Sequence, residues 1–268
     1  MYLASKASSP AQPEIAEVLG SSGVKSRWLI NRECGGPTTG KIGLIETEPA
    51  GAVKLTAAKG GERTVFILGG RGMAQGEELA ANLRAGTVLF LPDGRGLEMR
   101  AQDGPLRLLL IHNDLSESRG TEMGRGARTS AIPQIVQLEE VENVPFHRPE
   151  LGFLHVSARW LVGLKGGKSR ALVVGQSTFV AGAAHLLHRH SHADEFFYVL
   201  EGQGIHLVAD REVPMQEGNV VFTPRLEWHG FRNTADRPVR AIFGFFGVNS
   251  LENAGYEVHE SGIRIADS

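Results

Sequence analysis

The chain is poor in the features that would assign it quickly to several large classes. Its 268 residues include one cysteine, Cys34, which cannot form an internal disulfide. That favours a reducing cytoplasmic setting over an oxidising one. No run of about 20 apolar residues is present to cross a bilayer as a helix. The start, residues 1–20, lacks a basic stretch followed by an apolar one, so no signal peptide is expected there. No charge of either sign dominates. The net charge is −2, which gives no basis for a nucleic-acid or anionic-membrane partner. Phosphate-loop and dinucleotide patterns are also missing. Gly69-Gly70-Arg71-Gly72 follows a strand-like run but opens no helix, and Val162 stands where the glycine five before Gly167 would have to be. What remains is 41% hydrophobic residues, enough for a core, and 34 glycines, as expected of many tight turns between strands.

Histidine is absent before His112 and then concentrated between residues 182 and 233. Two spaced motifs organise that stretch. The first reads Gly182-x5-His188-x-His190-x4-Glu195-x6-Gly202, and the second Gly218-x5-Pro224-x4-His229-x3-Asn233. Alternate side chains of a strand share a face, so His188 and His190 converge while Leu187 and Arg189 face away. Imidazole nitrogen together with carboxylate oxygen is a donor set for borderline-to-hard divalent metals.

These residues resemble the cupin superfamily. The first motif matches the family pattern at every position. In the second, Leu226 stands where a glycine is usual, which touches a turn and not a ligand. The resemblance implies the metal ligands His188, His190, Glu195 and His229, an all-β fold of the double-stranded β-helix (jelly-roll) type, and homodimerisation. One divalent transition metal per chain is expected, with Fe(II) the first choice and Mn, Ni, Co and Zn equally able to accept the set.

The chain also repeats itself at an offset of 131 to 133 residues. Arg27-Trp28 echoes Arg159-Trp160, Gly51 pairs with Gly182, Glu62 with Glu195, Gly69 with Gly202, Gly86 with Gly218 and Pro92 with Pro224. The expected organisation is an N-terminal arm (1–20), a degenerate cupin barrel without metal ligands (21–113), a Gly- and Arg-rich linker (114–131) and a metal-binding barrel (132–268). Leu55 to Lys59 replace the His-x-His segment, and Leu97 replaces His229. Because Arg27 and Trp28 persist in a half without a site, both Arg-Trp pairs are read as scaffold. Residues 76–83 are helical in composition, but the repeat assigns them to a strand-turn-strand.

Residues two along from a ligand on one strand face inward, which nominates Phe197 and Phe231 as pocket-lining. Arg225 is a possible contact for an anionic group, and His192 a possible fifth ligand or proton shuttle. His185 has the wrong parity to join the pair and reads as structural, His206 carries a weak claim on the pocket, and Trp228 should point away. An open coordination position separates a catalytic metal from a structural one. The leading expectation is a metal-dependent cupin enzyme acting on a small organic molecule, preferably a dioxygenase. A non-redox isomerase, lyase or hydrolase is the alternative, and a non-catalytic metal or small-molecule binding cupin a third reading. Two-barrel cupins include quercetinases, oxalate decarboxylases and ureidoglycine aminohydrolase. The last is similar in size and in keeping metal in the C-terminal barrel alone.

Overall fold

The computed structural model describes residues 2–4, 15, 18–20, 23–34, 36, 39–55, 60–115, 132–163, 169–208 and 210–260. The linker expected at 114–131 therefore falls almost wholly outside the described residues. Within them every regular element is a β-strand or a single 3-10 turn, and no helix is long and apolar enough to cross a membrane.

The N-terminal half forms two facing sheets. One carries Gly61–Gly69 between Thr87–Leu91 and Arg107–Asp114, and the other carries Leu97–Ala101 between Ala52–Leu55 and Arg71–Gln75. Their inner faces close on Val65, Ile67, Leu89, Leu91, Leu97 and Met99, all buried. The strands Arg71–Gln75 and Ala80–Arg84 flank a turn, as the repeat requires and against the helical composition of that stretch. In the C-terminal half one continuous sheet wraps round. Its longest strand runs unbroken from Leu172 to His190, with Gly182 at φ 75°.

The two halves exchange strands. Tyr2–Ala4 pairs with Val220–Phe222 of the second barrel, and Gln134–Gln137 pairs with Thr87–Phe90 of the first. Tyr2 faces Phe222 and Gln134 faces Phe90, so both pairings obey one offset of 132 residues. The repeat thus extends into the arm, and residues 2–4 belong to the sheet of the opposite barrel.

A third apolar layer lies between the barrels. Phe66, Val88, Phe90 and Ile111 of the first meet Phe196, Tyr198, Phe222 and Phe246 of the second. A Cβ on Gly40 would lie 2.4 Å from the Phe246 ring, so only glycine lets the first barrel's strand approach this closely. Glu62 crosses the same boundary. Its carboxylate accepts hydrogen bonds from Ser169 Oγ (2.6 Å) and from the backbone N–H groups of Arg170 (2.8 Å) and Ala171 (3.3 Å). Burial raises the pKa of this carboxyl, with those donors opposing the shift.

Strand register corrects one pairing of the sequence repeat. Glu195 lies opposite Thr223, and the residue opposite the equivalent Leu91 is Arg63, not Glu62. Shifting by one residue exchanges the faces of a strand. Glu62 therefore points at the neighbouring barrel while Arg63 points into its own.

Candidate metal centre

The long strand 172–190 brings His188 and His190 to one face, and His229 lies directly opposite His188 on the antiparallel neighbour. Glu195 enters from the next strand, opposite Phe245. The turn between them, Ser191–Ala193, is tied down by backbone hydrogen bonds from Ser191 and His192 to Gly255 and Ala254. All four side chains are buried, and their ligating atoms lie within 4.8 Å of one another. Glu195 Oε2 is 2.8 Å from His229 Nε2, 3.1 Å from His190 Nε2 and 3.9 Å from His188 Nε2.

Backbone carbonyls set the ring orientations. His188 Nδ1 lies 2.8 Å from the Leu186 carbonyl, and His229 Nδ1 lies 2.8 Å from that of Glu227. Each Nδ1–H donates to its carbonyl, which turns Nε2 toward the cluster. Leu226 holds the loop before His229. It adopts φ 67°, the left-handed conformation that the usual glycine would take freely, with its exposed side chain clear of the core and its N–H on the His190 carbonyl at 2.8 Å.

Electrostatics divide the cluster. Burial pushes the Glu195 carboxyl up, but the His229 charge and the nearby imidazoles outweigh it and hold the group well below the usual carboxylate range. Burial likewise pushes His229 down, and the Glu195 carboxylate outweighs it, so His229 titrates above 6.5. For His188 the pull of Glu195 is outweighed; burial and the His229 charge lower it to about 3. The Glu227 carbonyl at Nδ1 and the Glu195 carboxylate at Nε2 both favour the protonated form of His229.

Two buried nitrogens test whether a metal fits. Neither His188 Nε2 nor His190 Nε2 has a hydrogen-bond partner. The 3.1 Å approach of His190 to Glu195 is an ion-pair distance without hydrogen-bond geometry. Buried polar atoms are nearly always satisfied, and such exceptions ask for an explanation. A divalent cation among three imidazole nitrogens and one carboxylate oxygen satisfies all of them together. His188, His190, Glu195 and His229 are the residues that would hold it.

Beside the cluster is a cavity of about 60 Å³ walled by aromatic rings. Phe197 and Phe231 both line it, 4.7 Å apart between ring centroids. His192 is exposed and lies outside the wall. Arg225 is also exposed, with Nε 3.8 Å from Asp194 Oδ1 rather than in the cavity. Trp228 faces away, under the Arg189 guanidinium at 4.4 Å.

Three further residues line the cavity: His185, which strand parity assigns a structural role, His206, with its weak claim on the pocket, and Trp160, which the repeat assigns to the scaffold. His185 does so because the pairing register slips between His185 and His188, which returns it to the inner face. It stacks on His188 at 3.7 Å and on Phe153 at 4.1 Å, and its Nε2 is 2.9 Å from the Tyr256 hydroxyl. Tyr256 donates its one proton to the Leu151 carbonyl, so the imidazole donates to the tyrosine. His206 is buried with Nδ1 unpartnered. Burial, then the His229 charge, lowers its pKa to about 3. The alternation Gly204, His206, Val208 was the available signal for it. Trp160 lines the cavity edge-on to Phe243, whereas its twin Trp28 is buried in the first barrel's core with the Lys41 ammonium 5.5 Å from its ring. The tryptophan repeat is scaffold in one half alone.

Comparison with known proteins agrees with this geometry. Residues 175–245 match the family model described as a cupin domain. The C-terminal barrel is a cupin domain. The whole chain has the fold of two-barrel cupins. It superposes on oxalate decarboxylase of Lactobacillus farciminis in its formate complex with TM-score 0.68 and 13% identity, covering 97% of this chain and 91% of that one. It superposes on protein Ylba of E. coli with TM-score 0.67 and 15% identity, covering 88% and 87%. Such low identities speak for the fold alone. In sequence, an uncharacterized protein of Methanocaldococcus jannaschii is 27% identical over 81 residues, 30% of this cupin and 59% of that protein. An oxalate-binding protein of Thermotoga maritima is 26% identical over 98 residues, 37% of this cupin and 77% of that protein.

Proposed function

We propose that this cupin is a mononuclear metal enzyme acting on a small uncharged organic molecule, with dioxygen as co-substrate. The observation that carries the reading is the character of the cavity beside the four ligands. Its wall holds eight aromatic residues of the Phe and Trp type and, among the described residues, no lysine or arginine. Dioxygen is apolar and partitions into such a space, while a dianion entering it would lose its hydration and find no lysine or arginine on the wall. A bound divalent metal would supply Lewis acidity, and iron in addition one-electron chemistry, at the head of this cavity.

The chain's own residues would exclude water, orient the substrate against aromatic faces, and offer neutral imidazoles as hydrogen-bonding groups. His185 is held between Phe153 and His188, and His206 is kept unprotonated by burial. A second reading, oxalate chemistry, draws support from the oxalate-binding relative and the oxalate decarboxylase fold. The absence of lysine and arginine from the wall weighs against it. Oxygen uptake by Fe(II)- and Mn(II)-loaded protein over a panel of enols, phenols and diketones, with oxalate alongside, separates the two. Uptake with a neutral substrate supports the proposal. Anaerobic release of carbon dioxide from oxalate sinks it.

A further inference from the structure

A second pocket of about 490 Å³ adjoins the cavity at the metal centre, and the two share Phe146, Trp160 and Leu251 as a common wall. The inner space is small. At about 60 Å³ it accommodates a few water-sized groups. A substrate larger than that has its remaining atoms in the outer pocket, past the Trp160 indole.

The outer pocket is built rather than incidental. Asn249 is more than nine-tenths buried and lines it, with its Oδ1 accepting from Asn253 Nδ2 at 2.9 Å. That one bond leaves the Asn249 amide N–H and the Asn253 amide oxygen without a side-chain partner. Exchanging the oxygen and nitrogen of both amides gives the same result, one donor and one acceptor side by side. Opposite them, Gly163 sits at φ 129°, where a Cβ would come within 3.0 Å of the Asn249 carbonyl oxygen. Glycine at this point keeps the Asn249 side of the pocket open. Trp160, Val162 and Val173 provide the apolar floor, Glu252 is the one ionisable residue on the outer wall, and no lysine or arginine lines either chamber among the described residues, so an anionic group is disfavoured there.

We infer that the outer pocket is a binding subsite for an uncharged group pairing a donor with an acceptor, a carboxamide or a hydroxy-carbonyl, on an apolar or aromatic body. This deepens the proposed function and rests on it for the idea that the reacting end lies in the inner cavity. The occupancy of the outer pocket can be read without turnover.

The test uses the full chain, metal-free and zinc-loaded, with benzamide as probe and benzoate as its anionic isostere. Binding is followed by calorimetry and by Trp160 fluorescence. Benzamide is expected to bind the wild type at least tenfold more tightly than benzoate, about the ratio that one lost buried hydrogen bond gives. Asn249→Leu should weaken benzamide by a similar factor, and Asn253→Trp, which fills the outer pocket, should abolish it. Each variant should keep the wild-type metal content and a cooperative thermal transition. Equal affinity for benzamide and benzoate in the wild type overturns the inference even if both variants fail to fold. Benzamide bound by folded Asn253→Trp as by wild type overturns it as well. Loss of metal binding by the wild type sinks the proposed function instead and leaves the benzamide comparison standing.

Discussion

The charged pair Glu195–His229 makes metal loading a proton exchange, and the exchange can be counted. Protonated His229 donates from both ring nitrogens, to the Glu227 carbonyl and to Glu195. A metal at Nε2 must displace one proton, and His229 holds that proton to above its ordinary 6.5 because of Glu195. His188 is neutral down to about pH 3 and releases none. Below the raised His229 value the apparent metal affinity should therefore fall by about tenfold per pH unit, or about 1.4 kcal/mol. In Glu195→Gln the carboxylate is gone and burial is opposed only by Glu227, so the His229 pKa falls. Affinity drops overall, but the slope flattens between about pH 6.5 and 8. Competition with a zinc-sensitive dye across that window measures both slopes. Equal slopes in the two proteins would falsify the assignment of the displaced proton to His229.

The same pair governs the stability of the metal-free protein. The raised His229 value contributes stability that is present below 6.5 and lost as pH rises through it. The depressed Glu195 value contributes stability that is present above 4.5 and lost as pH falls through it. The metal-free melting temperature, relative to that of Glu195→Gln, should peak between about pH 4.5 and 6.5; a peak at pH 8 contradicts the reasoning. Zinc at about a thousandfold over its Kd should stabilise the wild type by about 4 kcal/mol, and scanning calorimetry should find no such gain in His190→Ala. Phe246→Ala empties the layer between the barrels and should cost about 3–5 kcal/mol in a single unfolding transition seen alike by Trp28 and Trp228; a shift confined to one tryptophan means that the barrels unfold independently. Glu62→Ala strands the hydroxyl and the two N–H groups at 169–171 and should cost about 1–3 kcal/mol, measured by urea unfolding.

The parts of this fold that were legible in the sequence are those fixed by local chemistry. Glycines at turns and the His-x-His pair recur at set spacings because turn conformation and strand alternation demand them. The offset of 132 residues seen in those landmarks reappears in the strand pairing, down to Tyr2 and Gln134. Parity failed where a register slip intervenes. Between His185 and His188 the pairing shifts, and a count of alternate residues cannot see this. Trp160 was misjudged for a different reason. Identical residues in two copies need not have identical surroundings, and the second barrel keeps a cavity where the first has core.

The off-by-one pairing of Glu62 helps to explain why the described residues of the first barrel hold no comparable site. By register, Leu55 stands where His188 does, Leu97 where His229 does, and Arg63 where Glu195 does. All three are buried, and the Arg63 guanidinium donates to the Arg95 carbonyl. Two ligand positions have become apolar and a third has reversed its charge. A fixed cation occupies the face from which a carboxylate would draw a metal ion, so restoring one histidine cannot rebuild the site. The carboxylate that looked like a surviving ligand belongs to the opposite face, where it joins the two barrels. One barrel thus gives its polar residues to the junction and the other to the cavity, and the layer of phenylalanines between them couples the two.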